Sequence, residues 1–242
     1  MIFSLKKIIV IGIIILFVTY VKDKNPIVKS VGSLENVMRR GALNATIDLD
    51  TVTARTNLFA LGPVEGLRGE LMVWDGVSYV SEVEGQGLNK VKRSYQVGAP
   101  FLVYCNVKNW KEFILKNTIN NLGELQDEIQ NLAKSNGFDL QTAFPFKISG
   151  LINEAEYHVI WKDPEIKEHS HEIHKKSKVF YPISGKNADI LGFYSQNHAG
   201  VFTHHDSFIH AHIITADRNK MGHLDGISIN SGDVRVYLPD LD

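Results

Sequence analysis

The residues best able to do chemistry in this chain are three histidines near its end. His210, His212 and His223 lie in the stretch FIHAHIITADRNKMGHL, from Phe208 to Leu224. Neutral imidazole is the commonest protein ligand for transition metals, and all ten histidines fall from His158 onward. His210 and His212 are two apart in β-prone sequence, and on a strand residues i and i+2 project from one face. The chain then turns, and a second strand opens at His223. A hairpin symmetric about Asp217-Arg218 sets His212 and His223 directly opposite each other, with Cβ atoms about 4.5–5.5 Å apart, and His210 diagonal to His223. Three imidazoles converging on one point, with a fourth position open, is the pattern of a catalytic zinc site rather than a closed structural one. The competing reading is three polar residues on a solvent-facing strand. Two independent geometric conditions favour the metal, zinc or another divalent transition ion. His204 and His205 lie just upstream. Only His204 can share the face of His210 and His212 in an unbroken strand, and Asp206-Ser207 is placed to break it.

A carboxylate is the second candidate. Two β-rich runs, GELMVW and VSYVSEV, flank Asp75-Gly76, and Asp-Gly between alternating apolar residues is the strongest short hairpin signal. Alternation puts Glu70, Met72 and Trp74 on one face. A glutamate there is read first as an exposed rim residue. The polar run Lys162 to Lys178 holds His169, His171 and His174 and reads as a solvated charged loop, because nothing apolar fixes a site there. Cys105, the sole cysteine, allows no intrachain disulfide. Its setting, FLVYCNV, reads as a buried strand in which the thiol acts as a small hydrophobe.

The elements that must hold these residues are mostly strands. Ser33 to Arg40 reads as a helix with Ser33 as N-cap, ended by Gly41. Phe101 to Val107 is a strand. Asn109 is placed to cap a helix over WKEFILKN, and a longer helix follows from about Leu122 to Ala133, with Leu122, Leu125, Ile129 and Leu132 at helical spacing. Strands Phe144 to Ile152 and Tyr157 to Trp161 are separated at Asn153-Glu154. Val179 to Ile183, Ile190 to Tyr194, Gly222 to Ile229 and Val234 to Leu238 complete the set. LRGELMVWDGVSYV faintly echoes HLDGISINSGDVRVYL, as two copies of one sheet unit would. The 242 residues, 44% hydrophobic and 22% charged, supply ample core for a globular chain. With a net charge of −1 and no basic face, nucleic acid is not an expected partner.

Lys6 and Lys7 precede the apolar run Ile8 to Val21. This has the shape of a secretory signal and is short of the about 20 residues that span a bilayer. Thr19-Tyr20-Val21 is a poor cleavage site, so residues 1–24 read either as a cleaved export signal or as an uncleaved N-terminal anchor associated with the membrane. Both place the folded part outside the cytoplasm, periplasmic or extracellular.

The H-x-H pair followed, after ten residues, by the histidine of a Gly-His-Leu triplet resembles the acetolactate decarboxylase family, and the match extends outward. Leu67-Arg68-Gly69-Glu70, with Met72 and Asp75-Gly76, is similar to the family's L-D-G-E segment and its hairpin. Val37 to Leu43 resembles the helix-then-glycine ahead of it, and Gly150, Tyr181-Pro182 and Gly192-Phe193 follow in order. Three departures stand out. Gly62-Pro63-Val64 replaces a G-T-F turn, His158 occupies the place of an active-site arginine, and Asp242 is reached before a further family glutamate. The resemblance covers most of residues 33–238. It implies an α+β fold of mixed or antiparallel β-sheets with a few helices, one domain over 25–242 in two similar β-rich halves, about 25–140 and 141–242. It also implies zinc on His210, His212 and His223, and a carboxy-lyase converting 2-acetolactate to acetoin and carbon dioxide. Glu70 then handles a proton, and His158 stands in for the arginine. The partner is a small-molecule hydroxy-keto acid. The alternative is a divergent non-decarboxylase, acting on another small hydroxy-keto acid, or a non-enzymatic metal- or ligand-binding protein of the same fold. A weaker resemblance of the H-x-H and G-H-L elements is to the PPC domain of plant AT-hook DNA-binding proteins and bacterial relatives; the hairpin around Glu70 favours the larger family. Oligomeric state stays open, a homodimer included, since sheets of this kind often pair through their edges.

Overall fold

The computed structural model describes residues 25–241; the export or anchor segment, residues 1–24, lies outside them. The chain runs β1 (Lys29–Gly32), α1 (Leu34–Arg40), β2 (Ile47–Asp48), β3 (Leu58–Pro63), β4 (Glu70–Trp74), β5 (Val77–Glu84), β6 (Leu88–Arg93), β7 (Gly98–Ala99), β8 (Phe101–Asn106) and β9 (Trp110–Ile114). It continues with α2 (Leu122–Ser135), β10 (Phe144–Ile160), α3 (His171–Lys176), β11 (Lys178–Tyr194), β12 (Ile209–Thr215), β13 (Met221–Ser228) and β14 (Val234–Pro239). Among the described residues no helix is long and apolar enough to cross a membrane.

Local chemistry explains most boundaries. The Ser33 side chain accepts the Asn36 N–H at 3.2 Å, and Gly41 closes α1 at φ 61°. Asn121 caps α2 by accepting the Glu124 N–H at 2.9 Å. Asp75 and Gly76 both take positive φ, 49° and 77°, as a two-residue hairpin turn of the primed type requires.

The strands form two six-stranded sheets, in the orders β1-β8-β3-β4-β5-β6 and β11-β12-β13-β10-β14-β9, with β10 and β11 also paired, and a two-stranded ribbon β2-β7. All the pairings between named strands are antiparallel, as expected of an α+β chain with few helices. The sheets face each other across a core in which Phe59, Leu61 and Met72 of the first meet Leu191, Phe193, Ile214 and Met221 of the second. The outer face of the second sheet is covered by α2 through Leu125, Ile129 and Ala133.

Three sequence expectations are corrected. WKEFILKN is not a helix: Trp110–Ile114 is β9, an edge strand paired with β14 (Trp110 with Pro239, Glu112 with Tyr237). Tertiary contact overrides local preference here, because the Trp110 ring packs against Phe59 at 5.0 Å. The separation at Asn153-Glu154 is absent, and β10 and β11 run through it as 17-residue strands. What changes there is the phase. Before Asn153 the even-numbered Phe146 and Ile148 lie in the core cluster that includes α2; after it the odd-numbered Tyr157 and Val159 do. β11 changes phase with it at Gly185, where φ is 58°. Finally, the second half of the sequence echo is no hairpin, since β10 lies between β13 and β14.

Candidate metal centre

β12 and β13 form the hairpin expected, in the register expected: His212 pairs with His223, Ile213 with Gly222 and Ile214 with Met221. On β12, His210 and His212 share the side of Leu191 and Phe193, their partners' neighbourhood facing the other sheet. The three imidazoles meet there. Ring centroids are 5.1 Å apart for His210–His212, 5.1 Å for His210–His223 and 5.5 Å for His212–His223. One ring nitrogen from each lies within 4.8 Å of the others.

Close approach of the strands depends on Gly222. A Cβ there would stand 2.3 Å from the His158 carbonyl oxygen and 2.5 Å from the Tyr157 ring. β10 therefore lies tight against β13, pairing His158 with His223, and these rings are 4.8 Å apart. The β10–β13 register then shifts between Tyr157, paired with Leu224, and Glu156, paired with Gly226. Asp225 is the unpaired extra residue, a bulge of the kind that re-aims a side chain. Its Oδ2 accepts from His158 Nδ1 at 2.5 Å, and its Oδ1 lies 3.7 Å from Lys178 Nζ. With Nδ1 carrying the proton, His158 turns Nε2 toward Glu70 Oε1, 3.9 Å away.

Glu70 reaches the site from the opposite sheet, as the first residue of β4. It is buried, not the exposed rim residue expected, at 4% relative exposure. Gly69, at φ 143°, lets the chain pass the Ser81 carbonyl, which a Cβ would meet at 2.2 Å. The Glu70 carboxyl accepts the Ile160 N–H at 3.2 Å and stands 3.5 Å from His212 Nε2. Burial holds its pKa well above the ordinary carboxylate value, against the opposing pull of that N–H and of Lys178.

The histidines are neutral for the same reason. Burial drives His210 down to about 3 and His212 and His223 well below the usual imidazole value, with the neighbouring histidines adding to it. For His212 the Leu71 backbone opposes this weakly, without a hydrogen bond of accepted geometry. Buried polar atoms are almost always hydrogen-bonded, yet both ring nitrogens of His212 and Nδ1 of His210 have no partner. Neutral imidazoles with unclaimed lone pairs, on three converging residues, fit a divalent transition metal. Tetrahedral Zn–N bonds of about 2.0–2.1 Å separate ligand nitrogens by about 3.4 Å, so the rings would draw in around a cation.

His204, the upstream histidine singled out by strand periodicity, sits instead in the loop ahead of β12, its ring 5.9 Å from His223. The connector expected to be solvated is only partly so. His171 is exposed, but His169 bonds the Met38 carbonyl at 2.9 Å, and His174 lines the cavity over the histidines with Nδ1 buried and unpartnered. Burial lowers His174 to about 3. The signal for His174 is its place in a helix capped by Ser170, which turns it inward. Cys105, as expected, is a buried strand residue whose thiol is pushed well up by burial.

The cavity bounded by Glu70, His158, His210 and His223 has an internal volume of about 40 Å³. It adjoins one of about 360 Å³ that opens where β12 and β13 diverge beyond His223, against Leu122 and Gln126 of α2. Lys178, His204 and His223 line both.

Comparison with known proteins places this chain in a family. A crystal structure of acetolactate decarboxylase from Bacillus subtilis subspecies spizizenii superposes with a TM-score of 0.70 at 18% identity, covering 88% of this chain and 85% of that one. A Staphylococcus aureus protein of unknown function, described as similar to alpha-acetolactate decarboxylase, gives 0.69 at 18% identity, covering 87% and 84%. These likenesses show the fold. The plant- and prokaryote-conserved (PPC) protein of Pyrococcus horikoshii reaches a TM-score of 0.34 at 15% identity, covering 57% of this chain and 81% of that one, and carries no argument. No curated protein matches. The sequence pattern described as Alpha-acetolactate decarboxylase matches residues 31–239, and on that span the chain belongs to the alpha-acetolactate decarboxylase family.

Proposed function

We propose that the protein is a metal-dependent carboxy-lyase that converts 2-acetolactate to acetoin and carbon dioxide. Zinc or another divalent transition metal is held by His210, His212 and His223. The observation that carries the reading is the set of unclaimed ring nitrogens on His210 and His212, buried opposite a buried carboxylic acid. A divalent cation bound there supplies a Lewis acid for negative charge developing on oxygen. Glu70, whose carboxyl burial shifts toward the protonated form, delivers a proton to the carbon that the departing carbon dioxide leaves behind, and regains one from solvent. His158, held by Asp225, keeps its Nε2 on the Glu70 side and orients the acid. The apolar walls from Leu67, Ile160 and Phe202 exclude bulk water, which strengthens each of these interactions.

The test is acetoin formation from racemic acetolactate by the full chain, with and without a chelator. Activity that the chelator removes and added zinc restores supports the reading; no acetoin from metal-loaded protein contradicts it. Loss in His212→Ala with retention in His171→Ala assigns the activity to the cluster, and equal losses do not.

One observation favours a second reading, a metal- or ligand-binding protein without catalysis. The cavity at the histidines, about 40 Å³, holds one or two waters and not a five-carbon acid. Full metal occupancy without acetoin selects this second reading.

A further inference from the structure

We propose that Lys178 anchors the carboxylate of an anionic 2-hydroxy acid at the junction of the two cavities. The proposal rests on the reading of the histidine site given above and names the group that recognises the substrate's charge.

Among the described residues Lys178 is the only lysine or arginine lining either cavity, and it lines both. A hydroxy acid whose body occupies the larger cavity, with its reacting end toward the histidines, must pass its carboxylate beside this ammonium. The register fixes the direction. Lys178 pairs with Ile160, and His158 pairs with Phe180, so Lys178 is diagonal to His158 on the same face. After the phase change at Asn153 and Gly185 this is the face that looks toward Glu70 and the histidines.

The ammonium is also available. Its contact with Asp225 is 3.7 Å, long for an ion pair, and it makes no hydrogen bond among the described residues, although its side chain is only about one-fifth exposed. The other oxygen of Asp225 is taken by His158. A lysine ammonium has three donors, so a carboxylate can join it without displacing Asp225. Besides the histidines, the other polar side chains lining the larger cavity are Gln126 and Ser207, which carry no charge, and Asp206 and Asp225, which are acidic, so Lys178 is the cationic side chain there. A charge-assisted bond in a partly dry site discriminates an acid from its uncharged isostere.

The test is calorimetric titration of the zinc-loaded full chain with 2-hydroxy-2-methylpropanoate, which has no keto group to react, and with its uncharged amide. The acid is expected to bind about tenfold or more tighter than the amide. In Lys178→Met the affinity for the acid falls about tenfold, leaving only the preference that the metal supplies, with zinc content and amide affinity unchanged, and in Lys178→Arg it persists. Lys178→Gln repeats the measurement should the methionine variant fail to fold. An undiminished preference in the neutral variants overturns the proposal, as does a wild-type chain that binds neither compound or both equally. Acetoin formation by the wild type is scored separately. Acetoin with an undiminished preference in Lys178→Met refutes the anchor and keeps the decarboxylase; a preference so reduced in Lys178→Met without acetoin keeps the anchor and refutes the decarboxylase.

Discussion

At the scale of single residues, the site is a set of groups whose charges are suppressed by burial. Burial favours the protonated form of Glu70 and the neutral forms of His210, His212 and His223, the forms that proton delivery and metal ligation use. Glu70→Gln keeps a carbonyl oxygen for the Ile160 N–H and removes the proton. It is expected to retain bound zinc and lose acetoin formation by about 10²–10⁴-fold, read from initial rates at equal metal content; an unchanged rate excludes Glu70 as the proton donor. Asp225→Ala frees His158 Nδ1. Its effect resembles loss of an outer-shell partner, about 10–100-fold in rate, and 15N shifts of the His158 ring should report a change of tautomer. A ring that keeps its tautomer in Asp225→Ala would show that Asp225 does not set it.

Elements explain both what could be read from sequence and what could not. The His212–His223 register was legible because a hairpin's turn fixes its pairing, and strand periodicity then decides which side chains share a face. The Asp75-Gly76 hairpin was legible for the same reason. Asp225 was not, because a one-residue bulge against Tyr157 leaves no mark in the alternation of β13. Glu70 read as exposed because alternation gives a face and not what covers it; the cover is the second sheet, distant in sequence. β9 was mistaken for a helix because its strand partner, β14, lies more than a hundred residues away. The phase change at Asn153 looked like a strand end, since period-2 alternation breaks in both cases. The approach of β13 to β10 gives a test at this scale. Gly222→Ala forces a methyl against the His158 carbonyl and is expected to destabilise the fold by about 1–3 kcal/mol, with loss of zinc affinity, as measured by urea unfolding and metal titration. A neutral effect on both would mean that the two strands are free to separate.

For the whole molecule, the buried neutral histidines link stability to acidity. Their folded-state pKa values lie below the unfolded value of about 6.5, with His210 and His174 near 3. As pH falls below about 6.5 the unfolded chain takes up protons that the folded chain cannot, so stability declines progressively toward pH 3, by up to about 1.4 kcal/mol per pH unit for each such histidine. Glu70 works in the opposite direction, because its folded pKa is raised; it offsets about one of them. Chelator-treated protein is therefore expected to unfold at lower urea concentration at pH 5 than at pH 7, and bound metal should raise the midpoint at both. Equal midpoints for the chelator-treated protein would contradict the burial of neutral histidines. The site also spans the molecule, with Glu70 supplied by one sheet and every histidine of the cluster by the other, so it exists only when both sheets are docked.

The claim on which the rest stands is that His210, His212 and His223 together hold one metal ion. Its most direct measurement is the metal content of the full chain after gentle purification without chelator, set beside His212→Ala prepared in the same way. The account predicts about one divalent transition-metal ion per wild-type chain and a near absence in the variant, with folding confirmed by circular dichroism. A folded wild-type chain that carries no such ion and takes up none from added zinc, or a His212→Ala chain that carries as much as the wild type, would contradict it.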